Sequence, residues 1–303
     1  MTGSGWCPCH HGELLQGAFR DRDGVLRAGL VTLPRPDLRV RARFEPGPEP
    51  VITVGPGHRP KATRAARLTV AALADRGAEW AGSGRGTAVA VPQRPGGGRV
   101  TLTGSVPFGL GMGSSTADVV ATIRAVADGF GVRIAPREIA RIAVAAEAAS
   151  DPLMFDDPRP RLFAQRDGVV LEVLGESLPP LRIVGCLLDG GRPVDTPADA
   201  PPLPDPAAYA ELRSRLRRAV SSADPTEVAR VATASARLHR ADSEIDRLLA
   251  AGEHALGVQV AHSGSVAGLL LRPDADPAPA VAALRAVGLP ATGSFVVGEL
   301  VAA

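Results

Sequence analysis

Val106-Pro107-Phe108-Gly109-Leu110-Gly111-Met112-Gly113-Ser114-Ser115-Thr116-Ala117-Asp118 is the stretch on which the reading of the fold turns. It follows a strand-like segment and runs into an apolar-periodic one, so it joins a strand to a helix. Glycines at 109, 111 and 113 let the backbone turn tightly and approach a ligand without Cβ interference. Ser114, Ser115 and Thr116 then open the helix, whose unpaired N–H groups and positive dipole end face whatever the loop encloses. Such a place suits phosphate. The frame is not a Walker A loop, because the run from Gly104 to Gly109 is followed by Leu110 where that motif demands Lys. Nor is it a dinucleotide fingerprint, since Gly109, Gly111 and Ser114 lack the third glycine. A glycine-rich turn into a serine-capped helix is the plain alternative, and these residues alone leave it open.

Downstream, Ile139, Ile142, Ala143 and Ala146 form one apolar helical face, with Glu147 at its edge. A carboxylate at the C-terminal end of a helix opposes the dipole, and a bound cation would compensate for this. A solvated helix-end Glu is the competing explanation. Immediately after, Pro152 holds Asp151 in an extended conformation that projects its carboxylate from a stiff turn. A simple turn former before a strand would look the same. Asp156 and Asp157 are expected in a surface turn beyond Phe155.

The run from Pro107 to Ala117 resembles the second motif of the GHMP kinases, whose usual form is Pro, three residues, then Gly-Leu-x-Ser-Ser-Ala. Many relatives carry a basic or small residue where this chain has Leu110. Cys7-Pro8-Cys9-His10-His11-Gly12-Glu13-Leu14-Leu15-Gln16-Gly17 is similar to the opening motif of one group in that superfamily, the propanediol-utilisation-type L-threonine kinases. That group tends to have a small residue or Cys in place of His11. Ala261-His262-Ser263-Gly264-Ser265-Val266-Ala267-Gly268 resembles the third, glycine-rich motif, and the segment 189–196 a further stretch of the same group.

The resemblance implies a phosphate cradle made by Pro107, Gly109, Gly111, Met112, Gly113, Ser114, Ser115 and Thr116 around ATP. It implies Mg²⁺ held by Ser115 and Glu147, and catalysis by Asp151 together with Glu147 and Ser115. His11, Gly12, Glu13, His262, Ser263 and Gly264 would line the substrate. The implied activity is ATP- and Mg²⁺-dependent phosphorylation of a hydroxyl on a small metabolite, with L-threonine as the first acceptor to consider. Serine, homoserine or an amino alcohol would be next. A non-catalytic nucleotide or metabolite sensor on the same fold is the reading from another class, and the presence of Ser115, Glu147 and Asp151 together argues against it.

Around these motifs the pattern is α+β. Strands are expected at 25–33, 38–44, 51–54, 87–91 and 99–103 as a mainly antiparallel sheet. Helices are expected at 61–80, 114–129 and 136–149. Strands at 169–174 and 181–188 precede a stretch, 190–207, with six prolines and no regular structure. Helices at 209–222, 226–240, 243–254 and 278–287 then alternate with strands at 258–262, 266–271 and 291–297. This predicts a GHMP kinase-like two-domain fold, with an N-terminal ATP-binding domain over 1–170 and a C-terminal domain of helices on a small antiparallel sheet over 171–303.

The 303 residues are 45% hydrophobic and 22% charged, which suits a folded chain. A net charge of +2 without like-charge runs, and only seven Phe, two Trp and one Tyr, give no footprint for nucleic acid. No stretch of about 18 apolar residues would cross a membrane. The N-terminus lacks a signal-peptide pattern, so a cytoplasmic setting is expected. Cys7, Cys9 and Cys186 form no disulfide framework, and the cluster Cys7, Cys9, His10 and His11 lacks a second ligand pair for zinc. Expected partners are a small hydroxylated substrate and, as an open option, a second copy of the chain in a homodimer.

Overall fold

The computed structural model describes residues 1–48, 52–82, 97–104, 106–193, 203 and 205–298. The strand expected at 87–91 and most of the proline-rich stretch lie outside these residues. The chain folds into two interleaved units. One comprises Met1–Cys9, Asp37–Val106 and Ser114–Phe155, the other His10–Pro36, Pro107–Gly113 and Asp156–Ala303. The chain therefore passes between the units several times, the last at Phe155, rather than once near residue 170.

Strands β1 (Gly3–Arg20) and β2 (Leu26–Gly47) each contribute residues to both units. In the first unit, the later half of β2 pairs antiparallel with β4 (Gly97–Thr103), from Arg41 opposite Thr103 to Gly47 opposite Gly97. On the far side of β4, β3 (Ile52–Gly55) runs parallel to it. A parallel pair needs a crossover, and helix α1 (Pro60–Gly82) supplies it. This pair is the exception to the expected antiparallel sheet. Helix α2 (Ser114–Gly129) is buried along most of its length, with Val119, Val120, Ile123 and Val126 fully inside. Helix α3 (Pro136–Glu147) turns Ile139, Ile142, Ala143 and Ala146 inward, as the periodicity predicts.

The second unit has an antiparallel hairpin, β5 (Arg161–Ala164) with β6 (Val169–Val173), and a larger sheet. In that sheet β1 pairs with β8 (Gly257–Val260), β8 with β9 (Val266–Leu271), β9 with β7 (Leu181–Leu187), and β7 with β10 (Ala291–Val297), all antiparallel. Successive residues of β7 and β9 alternate between two hydrophobic clusters. Ile183 and Leu270 pack with Leu14, Phe19, Leu216 and Val228, while Val184 and Leu269 pack with Ile245, Leu248 and Leu284. The sheet is thus covered on both faces. The helices are α4 (Pro206–Ser221), α5 (Pro225–His239), α6 (Asp242–Ala251) and α7 (Ala278–Ala286). Asp205 and Asp224 cap α4 and α5 by accepting from the first-turn amides, each followed by Pro at the first helical position.

Three features depart from the sequence expectations. β1 is an 18-residue strand where none is predicted, because His10, His11, Glu13 and Gln16 are buried polar groups and erase the alternating apolar signal. β2 continues through Pro34 and Pro36 where two strands are expected. β5 is too short to carry a period of its own.

Candidate active site

The glycine loop sits in the second unit, and its conformation is fixed by protein neighbours. Val266 N–H donates to the Leu110 carbonyl at 2.8 Å, and His10 N–H to the Met112 carbonyl at 3.3 Å. Gly111 has φ 85°, and a Cβ there would collide with Ala261 Cβ and the Ser263 carbonyl. Its bare backbone is therefore required first by the 261–264 turn, not by a ligand. Leu110 is packed inside, at 9% exposure, which explains why a basic residue is not found there.

That neighbouring turn is itself anchored within the second unit. Glu13 Oε2 accepts from His262 N–H at 2.5 Å, and His262 Nδ1 lies 2.9 Å from Gln16 Oε1. The His262 ring stacks on His239 at 5.1 Å, and His239 Nε2 meets the His262 carbonyl at 2.8 Å. Burial holds His239 below the ordinary imidazole pKa. Arg240 donates to the Gly264 carbonyl. Glu13, His262 and Gly264 thus belong to one polar network around the turn, and the Ser263 carbonyl lies against Gly111. The Gly12 carbonyl lies 3.4 Å from His10 Nδ1, which is 3.7 Å from Glu13 Oε1, whereas the His11 ring is fully buried, edge-on to Phe295 at 5.2 Å, with Nδ1 2.7 Å from Gln259 Nε2. Both the His10 and the His11 rings are buried.

In the first unit, the opening turn of α2 meets the end of α3. Ser115 Oγ donates to Glu147 Oε2 and Thr116 Oγ1 to Glu147 Oε1, each at 2.8 Å. The Asp151 amide donates to Thr116 Oγ1 at 3.2 Å, and an Asp151 carboxylate oxygen lies 3.4 Å from the same hydroxyl. Thr116 therefore sits between both carboxylates. α3 stops because Ala148 adopts the left-handed conformation, φ 68°, with its N–H bonded to the Val144 carbonyl. The chain turns there, and Leu153 N–H closes on the Asp151 carbonyl at 2.8 Å.

Burial raises the Glu147 pKa to about 7, against the pull of the Ser115 and Thr116 hydrogen bonds; the nearby Asp151 charge adds to the rise and Lys61 opposes it. A buried carboxylate held by two hydroxyls, with a second carboxylate beside it, is an oxygen donor set that a hard divalent cation would stabilise. The residues present fit Mg²⁺. Asp118, on the same helix, is also buried and raised to about 6 by that burial, opposed by Arg59 at 3.3 Å. Such displaced carboxylates mark candidate functional sites.

Lys61, Arg59 and Asp118 escaped the sequence reading. Lys61 is the one lysine in the sequence, and a lone Lys among so many Arg was a usable signal. Cys7 and Cys9 are buried thiols that are not joined in a disulfide.

The sequence pattern of the GHMP kinases N terminal domain matches residues 71–156, the segment that holds Ser115, Thr116, Glu147 and Asp151. This chain is therefore similar, over that segment, to the GHMP kinases N terminal domain. The L-threonine kinase of Citrobacter freundii is 30% identical over 185 residues, which is 57% of this chain and 62% of that protein. The match thus spans less than two thirds of the length of this curated relative. Among solved structures, homoserine kinase from Cytophaga hutchinsonii superposes with a TM-score of 0.59 at 16% identity, covering 99% of this chain and 95% of that one. The L. major mevalonate kinase in complex with R-mevalonate gives 0.60 at 16% identity, over 100% and 96% of the two chains. These likenesses show that the GHMP kinase fold extends through the whole chain.

Proposed function

We propose that this chain transfers the γ-phosphoryl group of ATP to the hydroxyl of a small metabolite, with L-threonine as the first acceptor. One observation carries the reading: Ser115 and Thr116, at the N-terminus of α2, grip the buried carboxylate of Glu147 while Thr116 also holds Asp151. The match of residues 71–156 to the GHMP kinases N terminal domain and the similarity to an L-threonine kinase support it.

Phosphoryl transfer asks the protein chiefly for positioning and charge stabilisation. The amide end of α2 would receive the phosphates, and the glycine loop precedes it in the chain. Ser115 and Glu147 would hold Mg²⁺, which supplies positive charge to the phosphate oxygens. Asp151 orients the acceptor hydroxyl and takes its proton as the acceptor oxygen bonds to the γ-phosphorus and the bond to the ADP oxygen breaks. Asp151 stands on a turn and not on a helix, so its carboxylate reaches clear of α3 while its amide stays tied to Thr116.

Among the described residues no helix is long and apolar enough to cross a membrane. The buried reduced thiols accord with a cytoplasmic setting. The deciding experiment is ADP release with Mg²⁺·ATP over a panel of L-threonine, L-serine, L-homoserine and the matching amino alcohols, with mass spectrometry of the product. ATP binding with no ADP from any acceptor would favour the sensor.

A further inference from the structure

In the first unit, the side chains of β2 and β4 alternate between two faces of the sheet. Val40, Ala42 and Phe44 of β2 and Val100 and Leu102 of β4 are buried on one face. On the other, Arg39, Arg41, Arg43 and Glu45 stand exposed beside Thr101 and Thr103. β1 lies next to β2 and joins this pattern. A Cβ on Gly3 or Gly5 would run into the backbone of α2, so the helix closes the inner side of this end of β1. Ser4 and Trp6 alternate with those glycines and belong to the outer face, where Trp6 is 45% exposed.

This outer face is hollowed. A groove of about 700 Å³ lies over it, with Trp6 from β1, Arg41, Arg43 and Glu45 from β2, and Thr101 and Thr103 from β4 in its lining. A space of that size holds a small molecule. Its residues are not those that hold the Ser115–Glu147 centre, and nothing in the proposed phosphoryl transfer uses them.

The donors in the groove stand in register. Arg41 is opposite Thr103 and Arg43 opposite Thr101, so each guanidinium has a hydroxyl as its cross-strand neighbour. The two arginines are two residues apart on one strand, about 7 Å, and their long side chains can converge on one group. Among the described residues the Arg41 guanidinium makes no hydrogen bond or ion pair, and that of Arg43 meets only Glu45, at 3.4 Å. Ser4 is already engaged, giving its N–H and its hydroxyl to Asp128 Oδ2 at 2.7 and 3.2 Å. Trp6 is held in place: Arg39 and Arg124 lie over its ring at 5.2 and 5.7 Å, and Arg124 donates to its carbonyl at 2.8 Å. Two guanidinium forks and two hydroxyls, set against one carboxylate, call for an anion with several acceptor oxygens. A single carboxylate is a poor match, because one ion pair at an exposed position is worth little. A phosphate brings more charge and three acceptor oxygens, enough for both forks at once.

We propose that this groove is a second binding site, for a small molecule that bears phosphate groups, with Arg41 and Arg43 as its anchors and Thr101 and Thr103 beside them. The phosphate comes either from a nucleotide or from a phosphorylated hydroxy metabolite. The second source rests on the kinase reading, and the first does not.

Trp6 emission reads the groove directly in a full chain whose other tryptophan, Trp80, is changed to Phe. AMP, O-phospho-L-threonine and pyrophosphate are titrated at matched ionic strength, with acetate as the carboxylate control. The expected result is a saturable change with a phosphate probe, weakened at least about tenfold in the double variant Arg41→Gln, Arg43→Gln and not reproduced by acetate. Tighter binding of AMP assigns the groove to nucleotides, and tighter binding of O-phospho-L-threonine to phosphorylated metabolites; equal binding of all three shows that the phosphate alone is read. Because both arginines are exposed, the double variant should unfold at the wild-type denaturant midpoint and keep wild-type kcat. Calorimetry on the chain with both tryptophans makes the same comparison without Trp80→Phe. The proposal is overturned if no phosphate probe alters Trp6 emission, if acetate does so equally, or if the double variant titrates like wild type, and the face is then a solvated sheet surface. Absence of ADP release from every acceptor would sink the kinase reading and leave this titration unaffected.

Discussion

Ser115 Oγ donates a 2.8 Å hydrogen bond to Glu147 Oε2, tying the first turn of α2 to the last turn of α3 across 32 residues of sequence. The bond holds a carboxylate inside the first unit and keeps it accessible to a hydroxyl pair, and burial raises its pKa to about 7. Such a group gives opposite demands with and without a cation.

Glu147→Gln is therefore expected to raise the magnesium requirement and lower turnover, with metal-free ATP binding within about twofold of wild type. The metal-free variant should also melt higher than wild type at pH 8. A carboxyl whose folded pKa lies above its unfolded value of 4.5 contributes fully below pH 4.5, and that contribution is lost as pH rises through about 7. Removing the charge recovers at most about 3 kcal/mol. Calorimetric melting at pH 5 and pH 8 checks the sign, and wild-type magnesium dependence in the variant would move the ligand role elsewhere.

Gly111→Val should damage the fold of the loop before it damages nucleotide binding. Any Cβ at this position meets Ala261 and the Ser263 carbonyl, and its positive φ disfavours a β-branched residue. Gly111→Ala, which adds the same Cβ with less bulk, should show the same defect in milder form, about 1–3 kcal/mol. Denaturant unfolding alongside ATP titration distinguishes this from a loop whose glycine only makes room for phosphate, in which case affinity falls at unchanged stability.

These two positions show what was legible in the sequence. The Gly-x-Gly-Met-Gly-Ser-Ser run announces a strand–loop–helix junction because the glycine spacing and hydroxyl cap are local signals, and α2 begins at Ser114 as they require. Glu147 could be placed because a helical apolar face and its edge are set by a 3.6-residue period. What Gly111 avoids could not be read, since Ser263 lies far along the chain. The course of β1 was hidden for a related reason: its buried positions include His10, His11, Glu13 and Gln16, and the partners of His11, Glu13 and Gln16, which are Gln259, the His262 amide and the His262 ring, come from elsewhere in the sequence. Arg59 and Lys61 acquire their roles only in the fold, which sets them near Asp118 and Glu147.

His11 gives an acid-sensitivity prediction. Burial, then the charges of Arg35 and His10, hold its folded pKa at about 3, well below the ordinary 6.5. The unfolded chain therefore binds the extra proton first. Stability from this group is present above pH 6.5 and is lost as pH falls toward 3. Between pH 7 and pH 4 wild type should lose on the order of 3 kcal/mol more than His11→Gln, a residue that does not titrate in that range. Parallel curves for the two proteins in urea at each pH would show that His11 is not buried as a neutral ring.

The proposed mechanism depends most on Asp151. A hydroxyl is a poor nucleophile near neutral pH unless a positioned group takes or shares its proton. Asp151→Asn keeps the shape of the side chain and leaves the amide bond to Thr116 in place, so ATP and acceptor should still bind while kcat falls on the order of a hundredfold or more. Asp156→Asn is the control expected to keep wild-type activity and stability. Asp157→Asn is a different control. The Asp157 carboxylate accepts from Arg159 at 3.0 Å and from the buried Arg161 at 2.6 Å, which holds it far below the usual carboxylate range. Because Asp157 itself is well exposed, its loss should cost only about 1 kcal/mol of stability and leave kcat near wild type. Single-turnover rates with unfolding curves for all three variants make the separation: a slow, stable Asp151→Asn beside a fast, weakened Asp157→Asn is the expected pattern. Full activity in Asp151→Asn would mean that the acceptor proton leaves without a carboxylate base from this turn.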